Sequence, residues 1–433
     1  MKTKALPGFR DFYPSDLALR SHIFNTWRSV AARYGFEEYD GPPLEPLDLY
    51  TTKSGDEIVG QLYNFKDKGD REVALRPEMT PTLARMVAAR AGELRKPIRW
   101  FSIPQLFRYE RQQRGRLREH FQLNCDLIGE ASPLADAEII ALAIDVMRAF
   151  GLGPQDVRVR LSDRRVLTAL LRQRGVPADR LTRAFEFIDK IERLRQEHIR
   201  EIAAGPDQFG SATTNDLVEV ASIRGWSELE QELSRAPESV RSAEPLREAF
   251  RALTNMGLAE FLELDLTIVR GLAYYTGIVF ELFDTGRTLR AISGGGRYDN
   301  LLRELGGVDL PALGFGMGDV VLAELLKAKG LSPADASSID VFLAFISQDD
   351  LPHLLALAHQ LREAGLRVEY ALSPQALGKQ LKLADARNAR LAVVIGPDER
   401  ARGELMVKNL GTGDQSAVPS AAAVETITKH VYG

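Results

Sequence analysis

Two short, continuous apolar runs near the end of the chain, Val341-Phe-Leu-Ala-Phe-Ile346 and Leu391-Ala-Val-Val-Ile395, have the pattern of strands covered on both faces. Helical periodicity lies between and around them, over roughly 350 to 364 and 375 to 388. Strand and helix alternating in this way predict a compact α/β domain whose small sheet contains parallel pairs. Upstream, the first 330 residues mix helices with strands that alternate apolar and polar positions in the antiparallel manner. Their character changes from Gly151 to about Arg251, where long amphipathic patterns such as Leu181-Thr-Arg-Ala-Phe-Glu-Phe-Ile-Asp-Lys-Ile-Glu-Arg-Leu194 predict mainly helix. A helical insertion at about 165–255 within a larger domain of residues 1–330 is therefore expected. The small, polar, proline-containing stretch Leu331-Ser-Pro-Ala-Asp-Ala-Ser-Ser338 reads as a linker, which leaves 339–433 as a second domain.

Composition narrows the class. At 433 residues the chain is too long for one ordinary hydrophobic core, and 45% apolar with 27% charged residues is the make-up of a soluble globular protein. The formal net charge of −4 argues against a wholly basic nucleic-acid binder. Locally the balance differs: Val157 to Arg200 holds twelve Lys/Arg against six Asp/Glu, a stretch that either tracks an RNA backbone or forms a solvated helix face. A single cysteine, Cys125, excludes an internal disulfide framework and any multi-cysteine zinc site. Six scattered histidines contain no HExxH, so no protein metal site is expected. The first residues lack the apolar run of a secretory signal, and no apolar stretch reaches the length of a membrane span, so the expected address is the cytoplasm. There is no G-x-x-x-x-G-K-[ST], and a P-loop nucleotide site is not indicated.

The most informative segment runs from Phe107 to Asp126. Five arginines (108, 111, 114, 116 and 118) lie in eleven residues between two strand-like pieces, on or beside a hairpin loop. In the second strand, alternation puts Gln122, Asn124 and Asp126 on one face and Phe121, Leu123, Cys125 and Leu127 on the other. One face packs and the other is able to bind a polar ligand, with Cys125 on the packing side. Arginine suits such a loop because its planar fork grips phosphate oxygens bidentately and stays charged at every working pH.

Phe107-Arg108-Tyr109-Glu110, the arginine-rich loop and His120-Phe121-Gln122 resemble motif 2 of class II aminoacyl-tRNA synthetases in its histidyl form. Other blocks agree in order and spacing. Leu6-Pro-Gly-Phe-Arg-Asp-Phe-Tyr-Pro14 is similar to the family's opening, and Gly41-Pro-Pro-Leu-Glu45 sits where the dimer-forming motif 1 is expected. Leu75-Arg-Pro-Glu-Met-Thr80 resembles the loop that binds the amino acid's ammonium group. Val269-Arg-Gly-Leu-Ala-Tyr-Tyr-Thr-Gly277 and Gly294-Gly-Gly-Arg-Tyr-Asp299 resemble the two histidine-specific motifs. Gly378-Lys-Gln-Leu-Lys382 and Val407-Lys-Asn-Leu410 resemble the anticodon-binding domain of this synthetase group.

The resemblance implies an α+β catalytic domain on a mainly antiparallel sheet, followed by a C-terminal α/β anticodon-binding domain. It implies joining of L-histidine to tRNA(His) through a histidyl-adenylate, with ATP as substrate, Mg2+ accompanying it, and a homodimer. Arg270 and Arg108 carry the catalytic charge by this resemblance. Glu78, Thr80, Arg108, Gln122, Asp126, Arg270, Tyr274, Tyr275 and Tyr298 would contact the amino acid, and Arg108, Glu110, Arg116 and Gly316 the ATP. Two departures stand out. Motif 3 of the class ends in Gly-x-Glu-Arg, whereas Gly314-Phe-Gly-Met-Gly-Asp-Val-Val321 ends without the arginine, and Ala273 stands where many relatives have aspartate. The rival reading is a non-catalytic, histidine-sensing paralogue such as the regulatory subunit of ATP phosphoribosyltransferase. A second rival is a synthetase for proline or threonine. Retention of the C-terminal domain and of the histidine-specific blocks favours the histidyl enzyme over the first rival, and Tyr274-Tyr275 after Arg270-Gly-Leu272 together with the motif 2 pattern favours it over the second.

Overall fold

The computed structural model describes residues 4–51, 60–110, 115–191, 194, 196–204, 209–210, 212–235, 237–270, 274–333 and 339–432. Arg111, Arg114, Ala273 and most of the expected linker lie outside these residues. The chain divides into two compact units, the first made of residues 1–11 and 19–332 and the second of 12–18 and 333–433.

The first unit is organised by a nine-stranded sheet. Its strands run, edge to edge, Glu37–Glu38, Ile98–Ser102, Glu119–Ile128, Ala312–Gly318, Ser293–Arg297, Ile278–Asp284, Val157–Asp163 and Leu262–Leu264, and Gln105–Phe107 pairs with the start of Glu119–Ile128. All central pairings are antiparallel; only the two edge pairings, Glu37–Glu38 on Ile98–Ser102 and Leu262–Leu264 on Val157–Asp163, are parallel. The expected mainly antiparallel sheet is thus present.

Strand alternation gives this sheet two unlike faces. Leu123, Cys125, Leu127, Leu313, Phe315, Met317, Phe280 and Leu161 are buried in one core with Ile23, Trp27 and Val30 of helix Pro14–Arg33 and with helix Pro133–Ala149. The latter is mostly apolar, so most of its circumference can be buried. Cys125 lies in this core, as its alternation predicts. On the opposite face the register aligns Asp126 with Gly314, Asn124 with Gly316 and Gln122 with Gly318, then Gly316 with Gly294, Gly294 with Glu281, and Glu281 with Arg160. This face carries the polar residues.

The stretch from Gly151 to Arg251 is not helical from its start. Val157–Asp163 is an interior strand of the sheet, because its alternate residues Val157, Val159 and Leu161 are apolar and buried against the core helices. Helix begins at Arg164, where the Asp163 carboxylate accepts from the Arg165 amide at 2.7 Å and caps the first turn. Short amphipathic helices then follow to Asn255; one of them, Thr214–Ser222, opens with a reciprocal Thr213 and Asp216 capping box.

The second unit has its own five-stranded sheet, ordered Val368–Tyr370, Val341–Phe345, Leu391–Ile395, Glu404–Asn409 and Gln415–Pro419. The first three strands are parallel and the last two are added antiparallel. The two continuous apolar runs of the sequence are two of its three interior strands. Helices Leu351–Glu363 and Ala423–Tyr432 cover one face and Leu377–Ala386 packs on the other. Buried Gln380 locks that last helix in place: its amide donates to Phe345 O at 2.8 Å and accepts from Phe345 N at 3.2 Å.

Candidate active site

The polar face of the larger sheet is hollowed because glycines pave its middle. A Cβ on Gly316 would lie 2.7 Å from Gln122 Cδ, and one on Gly314 or Gly294 would overlap the Asp126 carboxylate or the Arg270 guanidinium. Absence of side chains in the two central strands lets polar groups from neighbouring elements lie flat across the sheet.

Over this floor opens a cavity of ≈ 710 Å³. Among the described residues six arginines line it (Arg108, Arg116, Arg160, Arg270, Arg287 and Arg290) against three carboxylates, Glu110, Asp189 and Glu281. Arg116 forms an ion pair with Glu110, Arg270 with Glu281, and Arg160 with buried Asp265. His120, also in the wall, has its pKa pushed down to about 3 by burial and then by the nearby Arg108, Arg10 and Arg116, so its imidazole is neutral. The cavity is therefore a positively biased hollow whose charge comes from guanidinium groups, as a polyphosphate requires.

Arg108 is positioned by contacts along its whole segment. Its Nε donates to Pro77 O at 2.9 Å, and the amide of Phe107 donates to Arg76 O at 3.0 Å. Arg76 is itself buried and donates to Asp40 at 2.8 Å, Gly41 O at 2.7 Å and Gln105 O at 3.0 Å. The arginine-rich hairpin and the loop carrying Glu78 and Thr80 are thereby fixed to each other. Arg270 adopts a left-handed backbone with φ of 63°, a conformation that costs a non-glycine residue about 1–2 kcal/mol and is found where surrounding contacts impose it.

Beyond Arg270 the floor continues into a second, more enclosed cluster. The Tyr275 ring lies 6.0 Å from the Arg270 guanidinium, Tyr274 and Tyr275 rings are 5.0 Å apart, and Tyr298 meets Tyr274 edge-on at 5.8 Å. Tyr274 reaches Glu78 at 3.5 Å and also hydrogen-bonds with Thr80. The Tyr298 hydroxyl donates a short hydrogen bond to Asp126. Burial, followed by the charge of Asp126, raises the Tyr298 phenol well above its usual range, so it remains the donor. Burial pushes the Asp126 carboxyl up to about 7, opposed by that hydrogen bond.

The residues singled out from sequence thus fall into two adjoining groups. Arg108, Glu110, Arg116, Gln122, Arg270 and Gly316 line the cavity. Glu78, Thr80, Asp126, Tyr274, Tyr275 and Tyr298 form the enclosed cluster, and Arg270 stands at the junction. Sequence reasoning did not single out Arg160, Glu281, Arg287 or Arg290. Arg160 and Glu281 become neighbours only through pairing of two strands far apart in the chain, and nothing local marks either. Arg297 of the glycine block has a different part: it is buried, donates to Asp136 at 3.1 Å and to Glu130 O at 3.0 Å, and anchors its strand to helix Pro133–Ala149.

Comparison with known proteins agrees with this geometry. A family model described as histidyl-tRNA synthetase matches residues 8–322, and one described as anticodon binding domain matches residues 340–430. The chain is 47% identical over 421 residues to a histidine-tRNA ligase of Opitutus terrae, covering 96% of each chain. To the chloroplastic/mitochondrial histidine-tRNA ligase of Arabidopsis thaliana it is 41% identical over 411 residues, covering 95% of this chain and 84% of that one. It superposes on the crystal structure of histidyl-tRNA synthetase from a Nostoc species with a TM-score of 0.83 and 26% identity, covering 99% of this chain and 100% of the other. A class II fold, a glycine-floored cavity rich in arginine and near-full-length identity to these relatives lead to one assignment: the chain belongs to the histidyl-tRNA synthetase family.

Proposed function

We propose that the chain activates L-histidine with ATP and transfers it to tRNA(His). The observation that carries this reading is the continuity of the polar face: a hollow rich in arginine opens beside a closed carboxyl and tyrosine cluster, with Arg270 between them. A polyphosphate fits the first and a small amino acid with a polar ring fits the second.

In this reading the histidine carboxylate attacks the α-phosphorus of ATP in line, and pyrophosphate leaves. Two anions must approach each other, so fixed positive charge between them supplies much of the stabilisation. Arg270 serves the attacking carboxylate or the α-phosphate, Arg108 the α-phosphate, and Arg116 the leaving phosphates, with Glu110 steering Arg116. Glu78, Thr80 and Gln122 receive the ammonium group. Asp126 and Tyr275 read the imidazole, Tyr298 orients Asp126, and Tyr274 aids at Glu78. Gly316 leaves room for the nucleotide over the sheet. The 3′-hydroxyl of the terminal tRNA ribose then attacks the adenylate.

ATP enters as its magnesium complex. Among the described residues no cluster of three or more His, Cys, Asp or Glu is suited to hold a metal, so the phosphates and water would supply most of the ion's ligands. The C-terminal domain, residues 339–433, binds the anticodon arm, and the functional form is a cytoplasmic homodimer. Among the described residues no helix is long and apolar enough to cross a membrane.

Histidine-dependent exchange of pyrophosphate into ATP tests the reading, assayed with histidine, proline and threonine in turn. Exchange with histidine is expected. Tight histidine binding without exchange would assign the chain to the sensing paralogues instead.

A further inference from the structure

We propose that Arg290 grips the far phosphates of the nucleotide, supplying from a neighbouring hairpin the cation that the Gly318-Asp-Val-Val321 turn lacks. The proposal rests on the reading of the cavity as the ATP site. Asp319 in that turn is committed to structure, because its carboxylate accepts from Arg10 at 2.8 Å and from the Phe121 amide at 2.9 Å. Val321, at the place where the class pattern ends in arginine, is apolar and lines the cavity.

Arg290 stands next to that place. A Cβ built on Gly115 would lie 3.3 Å from Val321 Cγ2 and 3.9 Å from Arg290 Cδ, so the two side chains flank one spot at the cavity wall, beside Arg116. The turn that carries Arg290 is built rather than slack. The buried Asp284 carboxylate accepts from the Thr288 amide and hydroxyl at 3.0 Å and from the Leu289 amide at 3.1 Å, while Leu289 packs against the main core. Ile292 N donates to Leu282 O at 2.8 Å on the other side, which fixes the base of the hairpin. An exposed arginine at the cavity wall on such a support is able to reach a phosphate without ordering the backbone beneath it. Arg287 of the same turn also lines the cavity and is paired with Glu263 at 3.6 Å.

The test compares wild type, Arg290→Ala, Arg290→Lys and the double variant Arg290→Ala with Val321→Arg. Calorimetric binding of ATP and of AMP is measured for each, and KM for histidine is taken from the exchange reaction. In Arg290→Ala the Kd for ATP should rise about tenfold, as loss of one charge-assisted phosphate contact implies. AMP affinity and histidine KM should stay within about twofold of wild type. Arg290→Lys should recover part of the loss, and Val321→Arg should restore ATP affinity to the alanine variant, which a merely structural role for Arg290 would not allow. Unchanged ATP affinity in Arg290→Ala, or equal losses for ATP and AMP, overturns the proposal while the nucleotide site stands. A wild-type chain that binds no ATP removes the nucleotide site itself, and the proposal with it.

Discussion

A carboxyl group shut away from water holds its proton, and Asp126, beneath Tyr298 and between strands, does so up to about pH 7. The folded value lies above the unfolded one, so the stability it contributes is complete below about pH 4 and is lost as pH rises through 7. Replacing Asp126 with Asn removes the titration while leaving an oxygen for Tyr298 to donate to. Asp126→Asn should therefore melt higher than wild type at pH 8, by an amount equivalent to about 4 kcal/mol at most, with the difference shrinking toward pH 4. The same variant should charge histidine less selectively, since an amide cannot match the carboxyl's response to an imidazole. Thermal melts at both pH values, with exchange assays on competing amino acids, check the pair. Equal melting temperatures at pH 8 would show that Asp126 is not held against its ionisation. The direction in which Asp126 points was legible from strand alternation, whereas its partner Tyr298 was not identified as such, because 172 residues separate them and only the folded sheet brings them together.

The glycine strands act differently on the two faces of one element. Gly295 lies in register between Phe280 and Phe315, whose rings meet over it with centroids 6.3 Å apart, and a Cβ there would strike the Phe315 backbone. Gly316 instead faces the cavity, where an added Cβ meets the Gln122 side chain. Gly295→Ala is expected to destabilise the fold by about 1–3 kcal/mol through overpacking. Gly316→Ala should leave the melting temperature nearly unchanged and raise KM for ATP, since the Gln122 side chain it displaces lines the hollow. Parallel denaturation and kinetic measurements on the two variants test this division; a stability loss at Gly316 matching that at Gly295 contradicts it. The glycine run was conspicuous in the sequence, and Gly316 was singled out by resemblance. That alternate glycines serve opposite purposes depends on register, which a one-dimensional pattern does not contain.

At the scale of the whole molecule, the residues buried in the C-terminal sheet form clusters separate from those of the first unit. A fragment of residues 339–433 should consequently fold alone and give a single cooperative thermal transition, measurable by circular dichroism. A broad, non-cooperative melt would mean that its core is incomplete without the rest of the chain. This unit was the most legible part of the sequence, because continuous apolar runs and short helical periods identify interior strands and their covering helices locally. The site was legible where resemblance supplied it and silent at Arg160, Arg287 and Arg290, whose relevance arises from distant strands and a turn.

The molecule carries a formal charge of −4, yet among the described residues its hollow presents twice as many arginines as carboxylates. An approaching anion therefore senses a weakly repelling body until it comes within about 8 Å, the reach of a charge at physiological salt. Only at the mouth does the field reverse. Arrival of the nucleotide thus owes little to long-range attraction, and added salt should act on how long it stays far more than on how often it comes.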